Sequence, residues 1–421
     1  MRNFLILALF GSLVVMAGCG GSSSSSSGSN SSGNNSGSGS NPATGANVQP
    51  ISVNSGPLGN YANGIFTSVT VCAPGSSNCT TISDVLVDTG SFGLRVLTAT
   101  VSGLSLPQQT SSTGPIAECA VFADSVVWGS VRTADVKLSG ETATSLPIQV
   151  IGDPGFSTVP QGCKSHSTQP PADSLNALGA NGILGIGQFG SDCGPACALI
   201  GSMNPGNYYV CPTASTCTPT QETETQQVQN PVPLFAVDNN GTILELPAIP
   251  ASGAPSVSGS LVFGIGTQSN NGLGSAKVFT LDQSTGNFTT VYPASGGTSF
   301  STSFIDSGSN GLFFGSPTSS LPRCPPNGST PSGFYCPTTT QNLSATQKGT
   351  NGTSNTVNFS VANADNFSAS NFALDDLAGP GSDSTTFDWG LPFFYGRNVF
   401  TGIAGQPVPS MPGLAGPFYA Y

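Results

Sequence analysis

Positive charge and histidine are nearly missing from this chain. Nine Lys and Arg stand against 20 Asp and Glu in 421 residues, with one histidine, for a net charge of −11. A nucleic-acid partner needs a basic footprint, so that class is excluded. Charged residues of both signs make up only 7%, too few for a salt-bridged helical bundle or a coiled coil. One histidine with scattered carboxylates shows no ligand spacing for a metal hydrolase. A Ser-His-Asp triad would have to use His166, in the polar loop Cys163-Lys164-Ser165-His166-Ser167, and a lone loop histidine is ordinarily solvated. Apart from the N-terminal stretch, no run approaches the ~18 apolar residues of a membrane-spanning helix. Glycine (55) and proline (33) are abundant instead, which favours turns and short strands over long helices. Hydrophobic residues at 37% suffice for a sizeable core, and at ~150 residues per domain the length suggests two or three units. A Gly/Ser/Thr-rich, mostly β protein with few short helices is expected, suited to life outside the cytoplasm.

Residues 1–18 read as a signal peptide, with Arg2 before the apolar stretch Phe4 to Val15. Met16-Ala17-Gly18-Cys19 resembles the lipobox of bacterial lipoproteins, which implies lipidation at Cys19; the alternative is an ordinary cleaved signal with an incidental cysteine. Residues 19–47, rich in Ser, Gly and Asn, can bury little and read as a flexible tether. Similarity to Gram-negative lipoproteins, with Gly20 after the cysteine, implies an outer-membrane anchor. The expected location is the cell envelope, facing periplasm or surface, with the membrane as a partner through Cys19. The ten remaining cysteines form an even set and fit an oxidising compartment. Cys72/Cys79 and Cys324/Cys336 read as local bridges. Cys193, Cys197, Cys211 and Cys217 cluster in one insertion, Ser191 to about Gln229, where the pairing stays open and a zinc site is the minor alternative. Cys119 and Cys163 pair by elimination.

The most informative feature is an internal repeat. Val85-Leu86-Val87-Asp88-Thr89-Gly90-Ser91-Phe92-Gly93-Leu94 returns as Ser303-Phe304-Ile305-Asp306-Ser307-Gly308-Ser309-Asn310-Gly311-Leu312. In each copy an apolar strand runs into an Asp, then into a tight turn. One Asp-(Thr/Ser)-Gly is an ordinary capped turn; two copies, each followed by Ser and a Gly-Leu step, are not coincidence.

These residues resemble the pepsin-like aspartic peptidases. Asn181-Gly182-Ile183-Leu184-Gly185-Ile186-Gly187 is similar to that family's strand threading behind the first aspartate loop. Gly259-Ser260-Leu261-Val262-Phe263-Gly264 resembles the strand opening its second lobe, and Trp389-Gly390-Leu391-Pro392-Phe393-Phe394, with Val399-Phe400 after it, its second apolar–Gly element. Gly64 to Val71 fits the first hairpin. The implied fold is a bilobal pepsin-like one: two pseudo-two-fold-related, β-barrel-like lobes, residues 48–240 and 241–421, with a cleft between. Asn239-Asn240-Gly241, near that boundary, reads as a hairpin turn.

The resemblance implies an aspartic endopeptidase acting on an extended polypeptide. Two carboxylates ~3 Å apart share one proton, so the ionised member activates water while the other donates towards the carbonyl oxygen. Asp88 and Asp306 are the implied pair, without cofactor or metal. Thr89 and Ser307 match hydroxyls that lock the two loops together. Gly90 and Gly308 match backbone donors to the carboxylates, and Ser91 and Ser309 match donors to their outer oxygens. Phe122 and Trp128, on the hairpin Cys119 to Val131, are candidates for the flap over the substrate, although the family carries Tyr there. Trp128 reads equally as hairpin packing. Leu391 stands where many members carry Asp. Arg95 replaces an aromatic residue and either meets a substrate carboxylate or is solvated. The rival function is a non-catalytic pepsin-fold surface lipoprotein that binds protein or glycan. A monomer is expected. The Ser/Gly tether lacks the basic residues of a zymogen prosegment, so no autocatalytic activation is expected.

Overall fold

A computed structural model describes residues 44–315, 321–325 and 333–421. The signal peptide, Cys19 and nearly all of the tether lie outside the described residues. The chain is mostly β, with 43% strand and 8% helix in barrel-like sheets. Among the described residues no helix is long and apolar enough to cross a membrane. The α-helices, Gln161–Lys164 and Leu175–Leu178, are single turns.

A 16-stranded sheet and a 7-stranded sheet carry the fold. The large sheet takes strands from both halves of the chain. Val48–Asn54 pairs with Gly64–Cys72 on one side and with Val257–Phe263 on the other, so the N-terminal strand is held by residues some two hundred positions away. The hairpin anticipated around Gly64 is present: Gly64–Cys72 runs antiparallel to Cys79–Asp88, with Cys72 opposite Cys79.

The sequence of Cys79–Asp88 explains its path. Its first residues alternate in exposure, whereas Val85, Leu86, Val87 and Asp88 are all buried. A run apolar on both faces belongs inside a sheet, and here Gly182–Ile186 lies parallel to it, pairing Val85 with Gly182 and Asp88 with Gly185. The outgoing strand Phe92–Leu97 returns antiparallel along the other edge of Gly182–Ile186. Around the second aspartate the order repeats in the small sheet. Thr298–Ile305 lies parallel to Phe387–Trp389, and Leu312–Phe314 runs antiparallel to it. Stacked rings support this second turn: Phe314 on Phe387 at 4.7 Å, and Phe387 on Trp389 at 4.4 Å between centroids. Such pairs add about 1 kcal/mol each beyond burial.

Five disulfides are present among the described residues. Cys72–Cys79, Cys119–Cys163 and Cys324–Cys336 pair as anticipated. The pairing left open resolves into two local bridges, Cys193–Cys197 and Cys211–Cys217, so these thiols are engaged with one another rather than with zinc. A bridge between Ser191 and Gln229 closes the base of the insertion. Its strand Tyr208–Thr213 pairs with Gly114–Val121 and extends the edge of the large sheet.

Asn239-Asn240-Gly241 is not a hairpin turn. Gly241 opens strand Gly241–Leu246, and the segment before it is the 3-10 turn Val232–Leu234. The Asn240 side chain is taken up by distant backbone instead: it donates to the carbonyls of Ile265 and Pro407 and accepts from Ile265 N–H. That tertiary use overrides the local turn preference of Asn-Gly.

Candidate active site

Each aspartate sits at the buried end of a strand, and the next four residues turn the chain back under it. Gly90 N–H donates to one Asp88 oxygen at 2.8 Å and Ser91 Oγ to the other at 2.5 Å. Gly308 N–H and Ser309 Oγ serve Asp306 in the same way, at 2.7 and 2.8 Å. The two loops interlock. Ser307 Oγ donates to Val87 O at 2.9 Å, and Thr89 Oγ1 to Ile305 O at 3.3 Å. Each hydroxyl also accepts the other loop's backbone N–H, Thr89 N to Ser307 Oγ at 3.1 Å and Ser307 N to Thr89 Oγ1 at 2.9 Å. A Thr/Ser difference between the copies costs nothing, because either side chain offers one donor and two lone pairs.

The result is two carboxyl groups within hydrogen-bonding reach of each other. Gly90 is required at this approach: a Cβ there would lie 2.6 Å from both Asp306 oxygens. Asp88 and Asp306 both have 0% exposed surface. Burial raises the proton affinity of both, and for Asp306 the neighbouring charge of Asp88 adds to it. Loop hydrogen bonds pull the other way. The net effect is a pair that holds a proton well above the ordinary carboxylate range, and this property belongs to the pair rather than to either residue.

A family model described as a protein of unknown function (DUF3443) matches residues 43–421. The chain belongs to the DUF3443 family. Among solved structures, the chain is similar to the aspartic proteinase from Irpex lacteus at 18% identity, covering 89% of this chain and 96% of that one, with a TM-score of 0.44. Comparison with curated proteins finds no match.

The structure also places the flanking residues of this DUF3443 protein. Arg95 neither faces solvent nor waits for a substrate: it is 2% exposed. It donates to Phe92 O at 2.7 Å and pairs with Glu118 at 2.6 Å and Asp192 at 3.1 Å. Phe122 is buried in a cluster with Tyr61, Leu97, Ala120, Ile151 and Ile183, and the Arg95 guanidinium lies 5.8 Å from its ring centre. Trp128 is hairpin packing, edge-on to Tyr209 at 5.3 Å, with its indole N–H donated to Phe156 O at 2.7 Å. Leu391 is buried in the 3-10 turn Leu391–Phe393. His166 is exposed.

Three contributors to the site went unread in the sequence. Asn63 donates to the carbonyls of Asn310 and Leu374 at 2.8 and 2.6 Å and accepts from Leu374 N–H and the Tyr395 hydroxyl, so it ties the first hairpin to the second aspartate loop. Tyr61 buries a hydroxyl that has no hydrogen-bond partner among the described residues; burial, then the charges of Asp124, Asp88 and Asp306, push its ionisation well up. Asp388 is 3% exposed, with Oδ2 2.6 Å from Ser309 Oγ. The signal for Asp388 was an acid inside the apolar stretch Phe387-Asp388-Trp389.

Proposed function

We propose that this chain is an aspartic endopeptidase in which Asp88 and Asp306 share one proton and activate a water against a peptide carbonyl. The observation that carries the reading is the interlocked pair of loops, which presents two carboxyls to each other with a matching set of donors on each. In the reaction the ionised member takes a proton from water, and the protonated member donates towards the carbonyl oxygen as the tetrahedral intermediate forms. The proton count of the pair is unchanged, so no cofactor is needed. The substrate is an extended polypeptide lying between two pseudo-symmetric lobes, residues 48–240 and 241–421, and pairing as an added strand. The protein acts as a monomer, held at the cell envelope by lipid on Cys19.

The carboxyls have no exposed surface, so hydrolysis requires an open state in which substrate and water reach them. The same burial favours a second reading, a non-catalytic envelope protein that binds protein or glycan. Incubation of the full chain with denatured casein at acid pH separates the two. Cleavage that is blocked by a statine-type inhibitor and abolished in Asp88→Asn and in Asp306→Asn supports the peptidase. Absence of cleavage across the acid range, or cleavage that survives either substitution, rejects it.

A further inference from the structure

Ser309 contacts two carboxyl groups with one proton. Its Oγ lies 2.8 Å from Asp306 Oδ2 and 2.6 Å from Asp388 Oδ2. A serine hydroxyl donates once, so one of these contacts must run from a carboxylic O–H to Ser309. Either Asp306 or Asp388 supplies that O–H, and the other accepts the Ser309 proton.

The surroundings decide between them. Asp306 Oδ1 accepts the Gly308 N–H at 2.7 Å, which suits a carboxylate. Asp388 Oδ1 is buried without a hydrogen-bond partner among the described residues. A carboxylate with one oxygen bare in an apolar strand is costly, whereas the carbonyl oxygen of a neutral acid is far less so. The strands beside Asp388, Thr298–Ile305 and Leu312–Phe314, contribute no ionisable side chain. The titratable groups that act on it are Asp306, Asp88 and the Tyr419 phenol. No cation is among them.

We propose that Asp388 is a positioning residue for the aspartate pair: as a neutral acid it donates its O–H to Ser309, and so commits the single Ser309 proton to Asp306. The hydrogen bonds then run in one direction, Asp388 O–H to Ser309 Oγ and Ser309 O–H to Asp306 Oδ2, and such chains reinforce each link. Ser91 has no second acid beyond Asp88 among its hydrogen bonds. The device is therefore one-sided and distinguishes Asp306 from Asp88. Once Asp388 ionises, its carboxylate draws the Ser309 proton to itself. Asp306 then loses the donor to its outer oxygen and gains a like charge nearby, and the working arrangement of the pair is lost. The catalytic consequence rests on the peptidase reading; the location of the proton does not.

Two readouts test this on the full chain. In the first, the alkaline limb of the pH profile of kcat/KM for casein-derived peptides is compared between wild type and Asp388→Asn. The amide still donates to Ser309 but cannot ionise, so the limb is expected to move up by about one pH unit or more, each unit being a tenfold change in the equilibrium. A limb that stays in place or moves down overturns the proposal. In the second, the protein is labelled with ¹³C at the Asp carboxyls, and the resonance missing from Asp388→Asn is followed with pH. It is expected to remain in the neutral-acid position after the exposed aspartates have ionised, above about pH 5; titration together with them overturns the proposal. Persistence of the neutral acid in a protein that cleaves nothing supports the proton placement and rejects only the peptidase. Should Asp388→Asn not fold, Ser309→Ala carries the kinetic test, since without the hydroxyl Asp388 can no longer draw a donor away from Asp306. A weaker enzyme with its alkaline limb moved up is expected, and an unmoved limb overturns the proposal.

Discussion

Replacing Arg95 by methionine tests whether the buried ionic cluster beside the aspartate loops is held by its one cation. The Arg95 guanidinium serves two carboxyl groups, Glu118 at 2.6 Å and Asp192 at 3.1 Å, and the Phe92 carbonyl at 2.7 Å. Tyr208 O–H completes Asp192 at 2.6 Å. Burial pushes Glu118 well above the usual carboxylate range although Arg95 opposes it. Without the cation, two buried acids face each other, and breaking such a pair costs about 3–5 kcal/mol at neutral pH. The folded-state proton affinity of Glu118 rises further in the variant. A group raised on folding contributes stability that is present below its unfolded value and lost as pH rises through its folded value. The penalty of Arg95→Met is therefore small near pH 4, where Glu118 can be neutral and the missing hydrogen bonds and packing cost about 1–2 kcal/mol. It reaches its full size by pH 7. Urea unfolding at the two pH values reads this directly, and adding Glu118→Gln to Arg95→Met is expected to recover more than half of the loss at pH 7. A penalty at pH 7 under ~1 kcal/mol, or one equal at both pH values, refutes the reasoning.

Two other substitutions probe separate links. Gly90→Ala places a methyl 2.6 Å from both Asp306 oxygens, so the carboxyl must move aside; on the peptidase reading a misplacement of ~1 Å costs about 100-fold in rate, casein cleavage is expected to fall by that factor, and undiminished cleavage in Gly90→Ala would contradict the geometry. Asp173 accepts the Trp128 N–H at 2.9 Å, and burial pushes it up to about 6. Its folded value lies above the unfolded one, so its charged form weakens the fold above that pH. Asp173→Asn keeps an acceptor without the charge, and thermal melts are expected to show a gain of about 2 kcal/mol at pH 8, after allowance for partial solvent contact, and none at pH 4. A gain at pH 4, or none at pH 8, would count against it.

The aspartate loops were legible because the donors to each carboxyl are local. An apolar strand, an Asp, a permissive turn and a hydroxyl three residues later form a self-contained hydrogen-bonding unit, and its repetition marked the pair. Phe122 shows the limit of spacing. Its position matches a hairpin residue expected over a cleft, and spacing alone did not show that its ring is buried in one cluster with Tyr61 and Ile183. Asn240 shows another limit, since the side chain that marks a turn can equally satisfy distant backbone. Arg95 was misread and Asp388 unread for a third reason: their partners are distant in sequence, Glu118 and Asp192 for one, Ser309 for the other. A usable signal was nonetheless present. With charged residues at 7% of the chain, an ionisable side chain inside an apolar strand is an exception that the fold must accommodate. Phe92-Gly93-Leu94-Arg95-Val96, Ile116-Ala117-Glu118-Cys119 and Phe387-Asp388-Trp389 each hold one, and all three are buried. Burial of a charge demands either a counter-charge or a retained proton. Arg95 and Glu118 supply the first solution to each other. Among the described residues no cation acts on Asp388, and the proposal above assigns it the second, so the two buried acids Glu118 and Asp388 meet the same demand by different means.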